Sequence, residues 1–555
     1  MDSHRGHAAV AAPDSLSPPG RKGSSRPVNP PITNPARLLP PPRVPSPPEG
    51  RTAVVSLTKR QYYVSRDLFV RAVGLVFVIA FVSTLGQLPA ILNPGGLWPD
   101  ALWYVSQGES SAGFLWLAPE FVVAWMGPDP TAVAMLCAFG AVMGLWTVLA
   151  IAPRWSLLLA TFSYAVVVRV GGEFFEFQWD SLLLECGLLG WLLAPRGASP
   201  GGPRKSPAPS SWLPVALGRL LLARVLLGSA LSKLTVGAAS WASLTGLLHH
   251  FETQPVPTRL GWWLAQCPPV LLQAGAALVL AIELAGGLCA VGPRKARLLA
   301  APVLIVWFLF LDLTGGHAFM NLLTAALALL LVDDQAWARW SRKTWRPRIT
   351  EPPPASRQLL QPPLAAAWAL WMVFSLGVQI LPTVAPRLLQ SRDLSEAPVL
   401  PSYAMYPVVD ERRYELVIEG SLDGRHWVAY EFRLKPGSVH RPPPWWAPFH
   451  PRLDYQLWFA AHNPEPGELF WVERLLEALL RNDPAVVRLL DHNPFGLWPP
   501  RWVRATLYEY HFTTPEERRR TGNWWWRRRV GPYAEPRQLE PDKRPDRPDP
   551  KTLHA

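Results

Sequence analysis

The sequence has only four cysteines among its 555 residues, and their positions exclude two kinds of site. No two of them form a CxxC pair, which excludes a redox or zinc motif of that type. None follows Cys289, so no disulfide framework is expected in the C-terminal part. The chain also lacks a phosphate-binding loop, a GxSxG elbow and a zinc signature. These absences leave no metal or cofactor to predict.

The two ends of the chain have little apolar content. Residues 1–60 are rich in Pro, Ser and Arg, and residues 536–555 are highly charged, so both are expected to be disordered tails. No secretory signal peptide is expected, because the first apolar run begins only near Leu68 and is too long for one. The net charge of +13 is explained better by the basic loops of a multi-span protein than by nucleic-acid binding.

Long apolar blocks are what the sequence does have, and they concentrate between Leu68 and Pro382. Blocks of about 15–25 residues predict transmembrane helices. We predict a helical membrane domain over 65–385 with about nine apolar segments. These are 68–92, 130–152, 155–170, 180–194, 211–233, 268–291, 298–313, 318–332 and 362–382. The four short ones, 155–170, 180–194, 298–313 and 318–332, are equally compatible with re-entrant pairs.

Basic residues alternate with these segments in a consistent way. Clusters follow the second, fourth, sixth and eighth segments and precede the first, whereas the loop 93–130 has no Lys or Arg. If all segments cross, the positive-inside rule puts the N-terminus in the cytoplasm and everything after Pro382 outside it.

The stretch Gly171–Pro195, GGEFFEFQWDSLLLECGLLGWLLAP, places four carboxylates beside an apolar run. Charges at such a position are costly unless they are paired, solvated or used. Asp180 and Glu185 need a cation, for which Arg169, Arg219, Arg224 and Lys233 are the candidates. A buried ion-pair network that fixes helix register is the favoured interpretation, and acid–base catalysis is the minority one.

Two further polar motifs fall on the same predicted outer face. His249 and His250 precede Glu252, but adjacent histidines do not share a helix face, so an ordered, Pro-stiffened loop is favoured over a metal site. Gly315 and Gly316 predict either a tight hairpin or an interrupted helix before His317. The predicted polar cluster at the membrane face is therefore Glu173, Glu176, Asp180, Glu185, Arg224, Lys233, Glu252, Glu283, Asp312 and His317.

Residues 400–535 predict a β-rich α+β domain outside the cytoplasm. Alternating apolar positions indicate strands at Tyr414–Glu419, Trp427–Leu434 and Val503–Phe512, with a hairpin turn at Asp423-Gly424. Helical spacing indicates a helix at Phe470–Leu480. Aromatic residues crowd the remaining segments, and either docking onto the bundle or partner binding explains them. The client-binding candidates are Trp445, Trp446, Trp458, Trp524, Trp525 and Trp526.

Several motifs in series carry a resemblance to a known family. They are the Gly171–Pro195 stretch, HHFETQPVPT, LTGGHAFMNLLTAALALLLVDD, RPPPWWAPFHPRLDYQLWFAA, DHNPFGLWPPRWVRATLYEYHFT and TGNWWWRRRVGPY. Together, and over roughly residues 65–535, the chain resembles the lipase maturation factor family. The bundle also has a weak similarity to vitamin K-dependent carboxylases.

The resemblance implies a membrane-anchored, chaperone-like factor that helps secreted lipases or other exported proteins to fold and assemble, with a C-terminal region that binds the client. It implies a multi-pass protein of the endoplasmic reticulum membrane in a eukaryote, or of the plasma membrane in a bacterium, which the Ala-, Arg- and Pro-rich composition favours. The alternative is a membrane-embedded enzyme, distantly carboxylase-like, that acts on a lipid or an exported polypeptide. A transporter is a third interpretation, for which no inverted repeat is visible.

Overall fold

Five parts of the chain carry the fold. The computed structural model describes residues 61–99, 129–195, 212–340, 403–463 and 469–539, together with the shorter run 366–374 and the single positions 122, 125, 363 and 377. The predicted N-terminal tail, most of the loop 93–129 and all but the first residues of the tail 536–555 lie outside the described residues. The parts that are described belong to one compact unit, residues 57–555.

The N-terminal half folds as a helical bundle. Its helices are α1 (Tyr63–Leu85), α2 (Leu88–Leu92), α3 (Pro130–Val148), α4 (Pro153–Gly171), α5 (Gln178–Leu193), α6 (Trp212–Thr235), α7 (Ala238–Trp241), α8 (Gly246–Thr253), α9 (Arg259–Ala265), α10 (Pro269–Val291), α11 (Arg294–Thr314), α12 (Met320–Leu329) and α13 (Asp334–Trp340). Local caps fix some of these starts. Asp129 accepts a hydrogen bond from the backbone N–H of Thr131, and the hydroxyl of Thr258 accepts one from Gly261.

Six of the described helices are long and apolar enough to cross a membrane: 63–85, 130–148, 153–174, 213–235, 269–291 and 294–314. The protein is thus a polytopic helical membrane protein with a β-rich C-terminal domain, but the predicted count of nine is not confirmed. The predicted segment 180–194 is the 16-residue helix α5, and 318–332 contains the 10-residue helix α12. At about 1.5 Å per residue these two helices reach only about 24 and 15 Å. In segment 362–382 the structure describes residues 363, 366–374 and 377, all of them helical, and the described run is too short to count as a span.

The bundle has two ends with different contacts. At one end the chain returns repeatedly to the start of α1, where the Asp334 carboxylate accepts hydrogen bonds from the backbone N–H groups of Tyr63 and Val64 at 2.9 and 3.0 Å. Arg294 at the start of α11 binds Asp333 at the same end. The other end, with the motif at 171–180, contacts the C-terminal domain. Of the predicted basic clusters, the one at Arg294 and Arg297 therefore lies away from that domain, and the orientation in a membrane stays a prediction.

The C-terminal domain is built on a four-stranded antiparallel sheet of order β2-β1-β5-β6. Its strands are β1 (Arg413–Ser421), β2 (Val428–Ala429), β5 (Trp502–Phe512) and β6 (Trp525–Arg537), and β3 (Glu431–Phe432) pairs with β4 (Leu490–His492) in a second small sheet. The longest pairing sets Arg413 opposite Tyr510 and Ser421 opposite Trp502. Helices α14 (Arg452–His462), α15 (Phe470–Leu480), α16 (Pro484–Val487) and α17 (Pro515–Thr521) complete the domain.

The predicted elements of this domain are found close to their expected positions. The helix at Phe470–Leu480 has the predicted bounds, and Gly424 in the predicted hairpin adopts a left-handed φ of 73°. The second predicted strand is divided into β2 and β3. Two segments that the sequence suggested were aromatic loops are regular elements instead. Trp458 lies on α14, and Trp525 and Trp526 begin β6.

Candidate functional site at the domain junction

The Gly171–Pro195 motif receives an arginine from the C-terminal domain. Arg452, the first residue of α14, donates from Nη1 to Asp180 Oδ2 at 3.0 Å and from Nη2 to Asp180 Oδ1 at 2.9 Å. It also donates to the carbonyl of Phe174 at 2.6 Å and to the Tyr164 hydroxyl at 3.1 Å. Its guanidinium lies 3.4 Å from the centroid of the Phe175 ring. Asp180 is thereby paired in two parallel hydrogen bonds, the geometry that arginine provides and lysine does not.

This ion pair is fully enclosed. Asp180 and Tyr164 have no exposed surface and Arg452 is 1% exposed. Tyr164 donates a further hydrogen bond to the same carboxylate. Because both charges have left water, loss of either partner would leave the other unpaired and buried, which usually costs about 3–5 kcal/mol. The pair therefore specifies how the two domains dock.

Neighbouring backbone groups complete this contact. The side chain of Gln87, in the turn after α1, accepts from the Arg452 backbone N–H at 2.8 Å and donates to the carbonyl of His450 at 2.8 Å. Ser83 exchanges hydrogen bonds with the backbone of His450. The imidazole of His450 itself is buried among Phe177, Trp179 and Tyr455. Burial lowers the pKa of His450 well below its usual range, so it packs there as a neutral ring.

The HHFETQPVP loop forms a second contact between the domains. Arg413 of β1 donates to the carbonyls of Glu252, Gln254 and Pro255. The Glu252 carboxylate in turn accepts hydrogen bonds from the backbone N–H of Phe512 at 2.8 Å and from Nδ1 of His511 at 2.9 Å. The predicted loop is wrong for the first half of this segment, because His249–Thr253 belongs to helix α8 and only the residues from Gln254 to Thr258 are not helical. The C-terminal domain binds both halves.

Glu252 also changes the titration of the histidine that it contacts. Its hydrogen bond raises the pKa of His511 above the usual 6.5, with Glu509 adding to the effect from Nε2 at 3.2 Å. The protonated imidazole pairs with both carboxylates. This contact is therefore strongest when His511 carries its proton.

Two further buried ion pairs lie inside the bundle. Glu185 of α5 accepts two hydrogen bonds from Arg224 of α6, at 2.9 and 3.0 Å. Lys233 donates to both oxygens of Glu283, at 2.8 and 3.1 Å, and to Ser229 at 2.6 Å. Arg224 is thus the cation for Glu185 among the predicted candidates, whereas Asp180 draws its cation from another domain.

Within the bundle, a side-chain hydrogen bond connects α11 and α12 across the turn between them. Asn321 donates to Asp312 at 2.8 Å across the Gly315-Gly316 turn. The indole of Trp446 packs directly over Gly316, where an added Cβ would clash with the ring. The two glycines therefore serve a tight turn that the C-terminal domain covers.

His317 and His250 face a cavity on the bundle side of this turn. The ring of Tyr406 stands edge-on to both, with ring centroids 5.3 Å from His317 and 4.7 Å from His250. Burial, with the nearby charge of Lys233, lowers the pKa of His317 to about 4 and that of His250 to about 3. Within the described parts of the chain, no three metal-binding side chains converge.

The other predicted site residues fall into two groups. Glu173 and Glu176 are exposed at the rim of the junction and do not join Asp180 and Glu185. Among the tryptophans, Trp446 and Trp525 are buried and Trp458 donates to the Thr253 carbonyl at 2.8 Å, so their rings serve the protein's own packing. Trp524 is half-buried against Trp262. Trp445 and Trp526 are exposed.

Four junction residues were not among the predicted ones: Tyr164, Arg413, Arg452 and Gln87. The sequence nonetheless offers a reason to single out Arg452, because this arginine follows a proline in an aromatic-rich stretch and begins an amphipathic helix. Nothing in the sequence alone connects it to Asp180, which lies 272 residues earlier.

Comparison with known families agrees with this two-domain arrangement. The lipase maturation factor transmembrane domain matches residues 64–339, and the lipase maturation factor C-terminal domain matches residues 399–535. The chain belongs to the lipase maturation factor family. The two matched regions coincide with the bundle and with the domain that docks on it.

Named relatives cover most of the chain. Lipase maturation factor 2 of Homo sapiens is 29% identical over 81% of this chain and 80% of its own. Lipase maturation factor 1 of Mus musculus is 28% identical, over 86% of this chain and 88% of its own. Lipase maturation factor 1 of Bos taurus is 28% identical, over 88% and 91%. No solved structure matches the chain.

Proposed function

We propose that the protein is a membrane-anchored, chaperone-like maturation factor that assists the folding or assembly of secreted lipases or other exported proteins. Its relatives are named for lipase maturation. The C-terminal domain is the part that meets the client, on the outer side of the membrane. The role requires no catalytic step by this chain.

The observation that carries this proposal is an exposed edge strand on a firmly docked domain. In the described part of the sheet, β6 pairs with β5 alone, so no other strand covers its outer edge beyond Trp525, whose backbone N–H donates to the carbonyl of Val439. Residues Trp526 to Val530 on this strand are exposed. An extended client segment would add to such an edge through main-chain hydrogen bonds, while Arg and Trp side chains provide selectivity.

The docking gives this edge a fixed position above the bundle. Arg452 and Arg413 both bind bundle residues, so the sheet does not depend on its linker for orientation. A fixed binding surface loses less entropy on association than a tethered one. An exported client would therefore find β6 at a fixed distance from the membrane-spanning bundle.

The embedded-enzyme alternative has less support from the same geometry. Asp180, Glu185 and Glu283 are each bound to an arginine or lysine, and Asp312 to an asparagine. The pairs are those expected of a structural network.

The test is complementation of a strain that lacks the gene, with the specific activity of a secreted lipase as the readout. The double variant Arg529→Glu with Val530→Asp changes the edge strand at exposed positions. The matched control, Leu422→Asp with Arg425→Glu, makes the same changes at the exposed hairpin tip. We expect the first to lose lipase activity per amount of secreted enzyme and the control to retain it. Equal activity with and without the gene, for every secreted hydrolase, would overturn the proposal.

A further inference from the structure

A cavity of about 310 Å³ lies inside the bundle, away from the client-binding edge. Helices α6, α8, α10, α11 and α12 line it, and Tyr406 of the C-terminal domain closes one side. Ligand pockets begin at about this size, and an apolar cavity of about half the volume holds benzene. The space therefore suits roughly a dozen non-hydrogen atoms.

The lining of the cavity is of two kinds. His250, His317, Asn321 and the Lys233–Glu283 pair form its polar part, here called the polar end. The lining also includes Leu271, Leu278 and Phe310, which are 61%, 49% and 39% exposed on the outer surfaces of α10 and α11. In a membrane these surfaces face lipid chains. The cavity thus combines buried polar groups with a wall that borders the bilayer.

The polar end carries no free charge. Lys233 already donates to Glu283 and Ser229, so its charge is compensated. Both histidines are neutral because their buried rings resist protonation. A neutral imidazole has one N–H donor and one acceptor nitrogen, which together match a hydroxyl group. An anion would enter without a free cation to pair with, at the cost of its hydration.

Unsatisfied hydrogen-bonding capacity also lies here. Nδ1 of His317 is buried and has no well-aligned hydrogen bond in the described residues, with the Gly315 backbone as the nearest polar neighbour of the ring that affects its pKa. Buried polar atoms of this kind are rare, and each has a cost unless a water or a ligand satisfies it.

We propose that this cavity binds an uncharged single-chain lipid with a hydroxyl-bearing head, of the monoacylglycerol type. The head lies at His250 and His317, and the chain leaves past Leu271 and Leu278 into the bilayer. The volume accommodates the head and the first carbons of the chain. A rigid sterol, with its hydroxyl at the same place, would need more enclosed space than the cavity has.

The test uses the full-length protein in lipid nanodiscs and a 1-oleoylglycerol analogue with a photoreactive diazirine in its acyl chain. Crosslinked peptides are mapped by mass spectrometry, with unlabelled 1-oleoylglycerol, oleate, cholesterol and phosphatidylcholine as competitors. We expect adducts on α10 and α11, and competition by 1-oleoylglycerol before the other three. Equal competition by phosphatidylcholine, or stronger competition by oleate or cholesterol, would overturn the proposal.

Variants separate the cavity from the lipid-facing surface. Gly275→Leu fills the cavity, where only the end of the Leu247 side chain must move, and should lower labelling by at least about tenfold. Ala281→Leu adds the same bulk at an exposed position of α10 outside the cavity and should leave labelling unchanged.

His317→Phe keeps a ring but removes both nitrogens. It should lower labelling about two- to tenfold, the value of one net hydrogen bond. If Gly275→Leu fails to fold, Leu278→Trp fills the same space from the lipid side. Undiminished labelling in both a folded filling variant and His317→Phe would refute the site.

Discussion

Replacing Arg452 by methionine is expected to release the C-terminal domain from the bundle. The change removes the charged head but keeps most of the apolar stem. It deletes four side-chain hydrogen bonds, to Phe174, to Tyr164 and to both oxygens of Asp180. Asp180 then remains buried as an uncompensated carboxylate, since it has no exposed surface.

The magnitude follows from that burial. Breaking a buried ion pair on one side costs about 3–5 kcal/mol, whereas replacing both partners by apolar groups costs much less. For a cooperative unit of about 150–250 residues, that loss lowers Tm by about 6–20 °C. Arg452→Met with Asp180→Leu should therefore recover part of the loss, with a coupling energy of about 1–3 kcal/mol.

The assay is thermal unfolding of the purified protein in detergent, followed by tryptophan fluorescence, with limited proteolysis as a second measure of docking. Arg481→Met is the matched control. Arg481 pairs with Glu477 on the surface of α15, both partly exposed, so its loss should cost no more than about 0.5 kcal/mol. A shift for Arg452→Met no larger than the control's, or additive effects in the double variant, would refute the reasoning.

Three further predictions concern the bundle, the turn and the pH response. Lys233→Met should lower the Tm of the bundle strongly, because it leaves Glu283 buried without its cation, and the double variant Lys233→Met with Glu283→Leu should lower it less. Equal losses of Tm in the two variants would show that Lys233 and Glu283 do not interact. Gly316→Val should weaken docking without unfolding the bundle, which faster proteolysis of the C-terminal domain at an unchanged bundle Tm would reveal. Because the pKa of His511 is raised on folding, its pairing with Glu252 stabilises fully below about pH 6.5 and is lost as pH rises through the folded pKa. As pH rises from about 6.5 through the folded pKa of His511, wild-type Tm should thus fall more than that of His511→Gln, and parallel profiles would contradict this.

Sequence patterns predicted the helices and strands better than the contacts between them. Helical periodicity located α15, and strand alternation located β1 and β5, because these signals are local. The short helices α5 and α12 were predicted as spans because composition does not reveal helix length. The apolar run around α12 continues into flanking turns that are not helical, whereas α5 covers its predicted segment except for Ala194 and is short in itself.

Part of the candidate site could be predicted from the sequence: its buried charged residues, but not all of their partners. Charge inside an apolar run identified Asp180, Glu185, Lys233 and Glu283 as residues that need partners. The Glu185–Arg224 pair joins neighbouring helices, so a candidate on the next helix could be named. The partner of Asp180 lies in another domain, and no local rule connects residues across such a distance. The buried tryptophans were similarly ambiguous, since docking and client binding favour the same side chains.

The measurement that tests the account most directly is photo-crosslinking from the edge strand in living cells. A photoreactive amino acid at position 530 is compared with one at position 425, both exposed and both in the C-terminal domain. The account predicts that a secreted lipase or another exported protein crosslinks from position 530 during its export, and not from position 425. Equal crosslinking from both positions, or none from position 530 while the lipase still matures, would contradict it.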